Sequence, residues 1–310
     1  MKKISVVSGC YNEESNLEEL VRRVFAQAAK FPAYEWEYIL IDNCSTDRSP
    51  EILRALAAHD PRIKVIFNTR NFGHIRSPYY GMLQAYGDAL IYLASDLQDP
   101  PEYIEQFVPQ WEAGFKVVAA IKSESEESAL FFAARRVYYQ VIARLADVDL
   151  LKNFTGFGLY DRVIVDYLRK LDDPYPYHRG IISELGYPIA KIPFVQPLRK
   201  RGFSKNNFYT LYDIAMLGFT NHTKIPLRLA TMLGFATAFV SFAVGLTYLL
   251  MKLFYWHDFA MGQAPVVVGL FFLGSVQLLF IGILGEYIGA IHTKVTKRPL
   301  VVERERINFS

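Results

Sequence analysis

Asp96 and Asp99 stand three residues apart in Ser95-Asp96-Leu97-Gln98-Asp99-Pro100-Pro101-Glu102, directly after the apolar run Ala89 to Leu93. A hard divalent cation that bridges two phosphates is commonly held by one or two such carboxylates, with waters completing its shell. A cation there would stabilise a departing diphosphate. Other polar segments share this setting at the end of an apolar run. Tyr11, Asn12 and Glu13 lie in Ser8-Gly9-Cys10-Tyr11-Asn12-Glu13-Glu14, which reads either as part of a ligand loop or as an ordinary helix cap. Asp42 and Asn43 open Asp42-Asn43-Cys44-Ser45-Thr46-Asp47, where Asp42 can accept hydrogen bonds from a base or ribose and where Asx-turns are the plainer alternative. The cluster Arg199-Lys200-Arg201-Gly202-Phe203-Ser204-Lys205 suits a lipid phosphate, or simply anionic headgroups. Together these segments offer what a nucleotide-diphosphate-sugar and a metal ion need. Tyr11, Asn12, Glu13, Asp42, Asn43, Asp96 and Gln98 are the candidates for the nucleotide-sugar, and Asp96 with Asp99 for the metal.

The elements that would position them follow from hydrophobic rhythm. Val- and Ile-rich runs at Ile4–Val7, Tyr38–Ile41, Val65–Phe67, Ala89–Leu93 and Val117–Ile121 alternate with helix-like stretches near Glu14–Lys30, Pro50–Ala58, Ile75–Tyr86 and Pro101–Ala113. That alternation predicts an α/β domain with a parallel sheet covered on both faces, whose ligands sit at the carboxyl ends of the strands.

The rear of the chain is different. The apolar fraction of 52% exceeds the soluble norm of about 45–50%, and the excess is concentrated in residues 226–291. Leu229 to Met251 carries no charge and would reach roughly 34 Å as a helix, enough to cross a hydrocarbon core of about 30 Å. A second uncharged run, Ala264 to Gly285, follows a short connection with Tyr255, Trp256, His257 and Asp258, which predicts a transmembrane hairpin. Lys224 and Arg228 before it and Lys294, Lys297 and Arg298 after it place both ends in the cytoplasm by the positive-inside rule. Asn206–Thr223, with Phe208, Leu211, Tyr212, Ala215, Met216 and Phe219 near helical spacing, reads as an amphipathic helix at the interface, or as one packed on the soluble core. The expected organisation is a catalytic domain over 1–203, a juxtamembrane segment over 204–225, the hairpin over 226–292 and a cytoplasmic tail over 293–310.

Bulk properties exclude other classes. A formal net charge of +3, without a long Lys/Arg run, argues against nucleic acid. Cys10 and Cys44 have no partner at metal-ligand spacing and suit a reducing compartment. The start of the chain lacks the apolar core and cleavage site of a signal peptide, which fits a cytoplasmic domain.

The ordered set Tyr11-Asn12-Glu13, Asp42-Asn43-x-Ser45-x-Asp47, Asp96-Leu97-Gln98-Asp99-Pro-Pro-Glu102, Arg199-x-x-Gly202-x-Ser204-Lys205 and Gly285-Glu286-Tyr287-Ile288-Gly289 resembles glycosyltransferase family 2. Within it, the chain is similar to bacterial polyisoprenyl-phosphate glycosyltransferases, related to dolichyl-phosphate mannose synthase and bactoprenol glucosyltransferases. The resemblance covers nearly the whole chain. It implies a GT-A (Rossmann-like) fold, a nucleotide-sugar donor, Mg²⁺ or Mn²⁺, an undecaprenyl-phosphate-type acceptor, inversion at the anomeric carbon, a bacterial inner-membrane location and a capacity for homo-oligomers. Three positions depart from the usual pattern: Ala94 replaces the first acid of Asp-x-Asp, Asn43 the second of two adjacent acids, and Gly156 an acid two residues before Gly158.

A lipid phosphate has its second pKa near 6 and is largely dianionic at neutral pH, so it attacks without a strong general base. Catalysis then consists of alignment and charge management. Asp96 manages the leaving group, and Arg135, Arg136, Arg199 and Lys205 are candidates to hold the attacking phosphate; Arg135 and Arg136, in the helix-like stretch Ala129–Leu145, read equally as a solvated face. Two alternatives compete. Gln196-Pro197-Leu198-Arg199 is similar to the Gln-x-x-Arg-Trp signature of processive polysaccharide synthases, but Lys200 takes the Trp place and a two-helix hairpin cannot readily enclose a polymer. A catalytically inactive, membrane-bound nucleotide-sugar binder or assembly scaffold, suggested by Ala94 and Asn43, is the other.

Overall fold

The computed structural model describes residues 1–124, 151, 153–197, 225–254, 263–296 and 298–309. Arg135, Arg136, Arg199, Lys205, the stretch Ala129–Leu145, the juxtamembrane segment Asn206–Thr223 and the connection through Asp258 lie outside the described residues.

The strands are β1 (Lys2–Cys10), β2 (Tyr34–Asp42), β3 (Ile63–Asn68), β4 (Ala89–Tyr92), β5 (Val117–Glu124), β6 (Phe154–Asp161), β7 (Ile189–Val195) and β8 (Glu303–Ile307). The helices are α1 (Leu17–Ala28), α2 (Ser49–His59), α3 (Gly73–Leu83), α4 (Ile104–Glu112), α5 (Arg162–Leu171), α6 (His178–Glu184), α7 (Ile225–Phe254) and α8 (Gln263–Val295), with a 3-10 turn at Pro101–Tyr103. Each expected strand and helix of the first 120 residues is present, with ends shifted by a few positions. The sheet runs β7-β5-β6-β4-β1-β2-β3-β8 among the described residues. Its centre, β4-β1-β2-β3, is parallel as expected. The whole is mixed, which corrects the all-parallel expectation: β6 lies antiparallel between β4 and β5, and β8 antiparallel on β3.

Alternation sends neighbouring strand residues to opposite faces. Val6, Leu40, Val65 and Phe67 pack beneath α1, α2 and α4, while Val7, Ile39, Ile41 and Ile66 pack against α3 and α5. Helix α1 buries Leu17, Leu20, Val21, Val24 and Ala28, spaced to make one stripe. Each such Leu or Val side chain contributes about 1.5–3 kcal/mol by leaving water. Helix α5 begins where the Asp161 carboxylate accepts from the Val163 amide at 3.1 Å and stops at Asp172 in the left-handed region. At Gly9 a Cβ would stand 2.7 Å from Pro78 Cγ, so only glycine lets α3 lie this close to the end of β1.

The chain's end corrects a second expectation. Within 293–310, expected as a tail, Glu303–Ile307 completes the sheet as β8, and Asn308 Nδ2 donates to the carbonyls of Ala57 and Ile63, both at 2.8 Å. The sheet therefore includes residues from both sides of the apolar helices. Helices α7 and α8 run 30 and 33 residues. Among the described residues one stretch, Phe272–Val295, is long and apolar enough to cross a membrane by length and composition.

Candidate active site

The carboxyl ends of β1, β2 and β4 converge, and each is followed by a tight turn with one non-glycine residue at positive φ: Asn12 (57°), Cys44 (63°) and Leu97 (62°). Asn tolerates this region, whereas Leu is strained there, and strained residues cluster where a site over-determines its backbone.

The first two loops are sewn together. The Asn12 amide donates to Ser45 Oγ at 2.9 Å, the Thr46 amide donates to Asn12 Oδ1 at 2.8 Å, and the Glu13 amide donates to Ser49 Oγ at 2.9 Å. Glu13 is buried and accepts from Asn16 Nδ2 at 2.6 Å, while partly buried Tyr11 precedes this turn. Asp42 is fully buried, and both its oxygens accept from the Ser45 amide, at 3.3 and 3.2 Å. Burial raises its pKa above the ordinary carboxylate range, with Ser45 acting against that shift.

The Asn43 side chain is bonded within the protein on all sides. Its Nδ2 donates to Asn71 Oδ1 at 2.9 Å and to the Gly73 carbonyl at 3.2 Å, and its Oδ1 accepts from Asn68 Nδ2 at 3.1 Å and the Phe72 amide at 2.9 Å. Four bonds exhaust an amide side chain. Asn43 thus ties the β2 loop to the turn before α3, and an acid here would face two acceptors without a hydrogen to give.

Asp96 and Asp99 lie on one loop beyond β4, as the sequence placed them. Asp99 is buried and its Oδ2 accepts from the Ala94 amide at 2.9 Å; its pKa rises to about 7, first through burial and then through the nearby charge of Asp96. Asp96 Oδ1 accepts from the Gln98 amide at 3.1 Å. The Gln98 side chain donates from Nε2 to the Pro197 carbonyl at 3.3 Å, which pins this loop to the segment that leads into Arg199. Two carboxylates, one of them burdened by burial and by its neighbour, fit a hard divalent cation. Among the described residues no group of three or more His, Cys, Asp or Glu could hold a metal, so phosphates and water would complete the shell.

Two regions were missed in the sequence. At the start of α6, His178 packs edge-on against Tyr160 with centroids 5.1 Å apart, and Arg179 acts electrostatically on Asp99, Tyr92 and Tyr160. On β8, Arg304 lies over the Phe67 ring at 5.9 Å and its charge opposes the rise in the Asp42 pKa. Neither belongs to a contiguous motif, and only the fold reveals them.

A model described as Glycosyl transferase family 2 matches residues 5–169, and one described as GtrB C-terminal hairpin matches residues 225–291. The Bactoprenol glucosyl transferase of Shigella phage SfII is 33% identical over 298 residues, covering 96% of each chain. The Uncharacterized glycosyltransferase YkcC of Bacillus subtilis (strain 168) is 31% identical over 299 residues, 96% of this chain and 92% of that one. Among solved structures, the mannosyltransferase PcManGT from Pyrobaculum calidifontis in complex with GDP-Man and Mn²⁺ aligns over 96% of this chain and 88% of its own, with a TM-score of 0.48 and 15% identity.

Proposed function

The chain belongs to glycosyltransferase family 2 and is a glycosyltransferase with a GT-A-like mixed α/β fold, and from that premise we propose that it transfers one sugar from a nucleotide-sugar to a polyprenyl phosphate of the undecaprenyl type. The observation that carries this reading is the likeness to bactoprenol glucosyl transferases over nearly the whole chain, through both the family domain and the C-terminal hairpin. The donor's nucleoside lies in the crevice over Asp42, between the loops after β1 and β2. Its diphosphate lies by Asp96 and Asp99. Mg²⁺ or Mn²⁺ bound there would neutralise charge on the leaving diphosphate. Arg199 and Lys205, with Arg135 and Arg136, hold the acceptor phosphate. The dianionic phosphate attacks the anomeric carbon directly, opposite the leaving group, and inverts it.

The reaction takes place at the cytoplasmic face, with α7 and α8 as a membrane hairpin. Pairing of β8 with β3 supports this arrangement, because the residues after α8 must then lie on the same side as those before α7, and the intervening chain crosses an even number of times. A reporter fused after Ser310 should read cytoplasmic and one inserted near Asp258 should read opposite; equal signals would break the hairpin. The function itself is tested by incubating the membrane-embedded chain with radiolabelled nucleotide-sugars and undecaprenyl phosphate. Label in the lipid fraction is expected, and donor binding without any lipid product would replace the transferase by a silent binder.

A further inference from the structure

We propose that Leu300 is a positioning residue for the lipid acceptor: seated where α3, α5 and α6 meet, it fixes how the α/β domain stands at the end of α8 and so holds the Asp96 loop at the depth of the acceptor phosphate. This rests on the transfer to a polyprenyl phosphate proposed above and names a residue, remote from the crevice, that serves it. Tyr79 on α3, Leu168 on α5 and Ile181 on α6 form a buried apolar cluster of their own, and Leu300 packs against it together with Leu83. One side chain of the segment that follows the apolar helices thus plugs the meeting point of three helices of the domain.

Both the seat and the plug are stiff. The Tyr79 hydroxyl donates to the Leu168 carbonyl at 3.2 Å, and Arg76 Nε donates to the Pro174 carbonyl at 3.0 Å, so α3 is bonded to α5 and to the turn before α6. Pro299 fixes its own φ and confines Arg298 to extended backbone, which makes the approach to Leu300 a strut rather than a loose tether. Beyond Leu300, Val301 is buried, and the Val302 carbonyl accepts from the Thr69 amide at 2.9 Å and from Thr69 Oγ1 at 3.1 Å.

The junction around this contact is open. Two clefts of about 360 Å³ each share Asp172, Asp173 and Pro174 as walls; one reaches Lys294, and the other is lined by the strut from Arg298 to Val301. Unfilled space forfeits the contacts that hold packed elements in register. Helix α8 itself meets this region through Lys294 Nζ, 3.9 Å from Asp173 Oδ2, and the Lys294 side chain is 49% exposed, so solvent screens the pair. Without Leu300 the first firm attachment after α8 moves on to Val301 and Val302, and the stiff connection is lost.

The crevice lies one helix away. Helix α3 begins at Gly73, whose carbonyl accepts from Asn43, and its 11 residues span roughly 16 Å. A tilt at the junction is therefore carried to the crevice, while an acceptor phosphate anchored in the bilayer cannot follow it. Misplacement of reacting groups by about 1 Å costs on the order of a hundred-fold in rate.

The test uses the full chain in vesicles, the nucleotide-sugar that the wild type turns over, and two acceptors: undecaprenyl phosphate in the bilayer and a short isoprenyl phosphate free in solution. A soluble acceptor reaches the crevice however the domain is tilted, whereas a damaged fold lowers both reactions. Leu300→Ala should lower kcat/KM for the bilayer acceptor about ten-fold or more, with kcat/KM for the soluble acceptor and the affinity for nucleoside diphosphate changed less than about two-fold, and Leu300→Met should recover most of the loss. Equal losses with both acceptors, a matching loss of nucleoside diphosphate affinity, or an unaltered rate with the bilayer acceptor would overturn the assignment. Should Leu300→Ala fail to fold, a Gly-Gly insertion between Thr296 and Lys297 decides: it leaves Leu300 in its seat and uncouples the domain from α8, so the same split between acceptors supports the proposal and any other pattern removes it. Absence of transfer by the wild type to either acceptor breaks the proposed function instead.

Discussion

On the β1-β2-β3 side of the crevice, the amide of Asn43 uses all four of its hydrogen-bonding positions on the protein, and Asn12, Glu13 and Asp42 are likewise bound to neighbouring loops. On the β4-β6 side, Asp99 is buried beside Asp96 with a raised pKa, Leu97 is strained, and His178 keeps two buried nitrogens unpaired. The first half is a scaffold whose loop side chains are already bonded to the protein. The second carries buried polar groups at a cost that the protein itself does not relieve. The contrast teaches that an acid-to-amide change need not weaken a site: Asn43 falls in the finished half and Ala94 in the open one.

The largest expected effect falls on the open half. Asp96→Asn should reduce label transfer to lipid by about a hundred-fold or more, because a neutral amide cannot hold a cation against a diphosphate. Chelation should silence the wild type, and added Mg²⁺ or Mn²⁺ should restore it. Measurable transfer in excess chelator, or an active Asp96→Asn, would remove the metal from this half. Membrane insertion should be unchanged in the variant.

Asn43→Asp is the corresponding test of the finished half. The carboxylate oxygen that replaces Nδ2 would then face both Asn71 Oδ1 and the Gly73 carbonyl, an acceptor against an acceptor at both contacts. A cost of about 1–3 kcal/mol is expected for leaving those groups unsatisfied, read as a lower Tm together with weaker nucleoside diphosphate binding. Unchanged stability would mean that the amide network is dispensable.

Asp99 separates the halves by pH. Its native pKa of about 7 lies above the unfolded value, so the native state binds the extra proton between roughly pH 4 and 7. Stability from this group is therefore full below that window and lost as pH rises through it, at up to about 1.4 kcal/mol per pH unit. Asp99→Asn should flatten that decline in a thermal series from pH 5 to 8 without added metal. A wild-type Tm that climbs across the same range, with Asp99→Asn following it, would contradict the burial argument.

How much of this was legible beforehand depended on sequence locality. The loops after β1, β2 and β4 could be read because each is a short contiguous motif behind an apolar run. Strands β6 and β7 and helices α5 and α6 carry a weaker local signal: Phe154–Asp161 is mostly apolar, but its glycines at 156 and 158 resemble turn punctuation. One of them stands at φ +101°, and the other is needed where a Cβ would meet the Val118 carbonyl at 2.3 Å. Strand β8 reads Glu-Arg-Glu-Arg-Ile, a charged pattern with no apolar face, so only its partner β3 makes it a strand. Arg179 and Arg304 come from segments distant from the motifs, and no spacing rule brings them to Asp99 or Asp42.

The smallest expected effect sharpens what holds the finished half together at its outer edge. Arg54 on α2 pairs with Glu305 on β8 at 2.6 Å and lies over the Phe67 ring at 4.4 Å, which on inspection looks like the clamp that keeps the returning strand in place. Both charged side chains are more than a third exposed, at 42% and 39%, so solvent screens the pair. Exposed pairs contribute about 0.2–1 kcal/mol, and an exposed cation over a ring about 0.5–1 kcal/mol. Strand β8 is held instead by its backbone pairing with β3 and by the buried carbonyls of Ala57 and Ile63 that Asn308 satisfies. Arg54→Ala should therefore lower Tm only slightly, with a loss that shrinks further in high salt, while Asn308→Ala should cost more and be insensitive to salt. A thermal series at two ionic strengths distinguishes them. If Arg54→Ala proves the more damaging of the two, and more damaging than Asn43→Asp, then surface charge rather than the internal amide network maintains this side of the crevice.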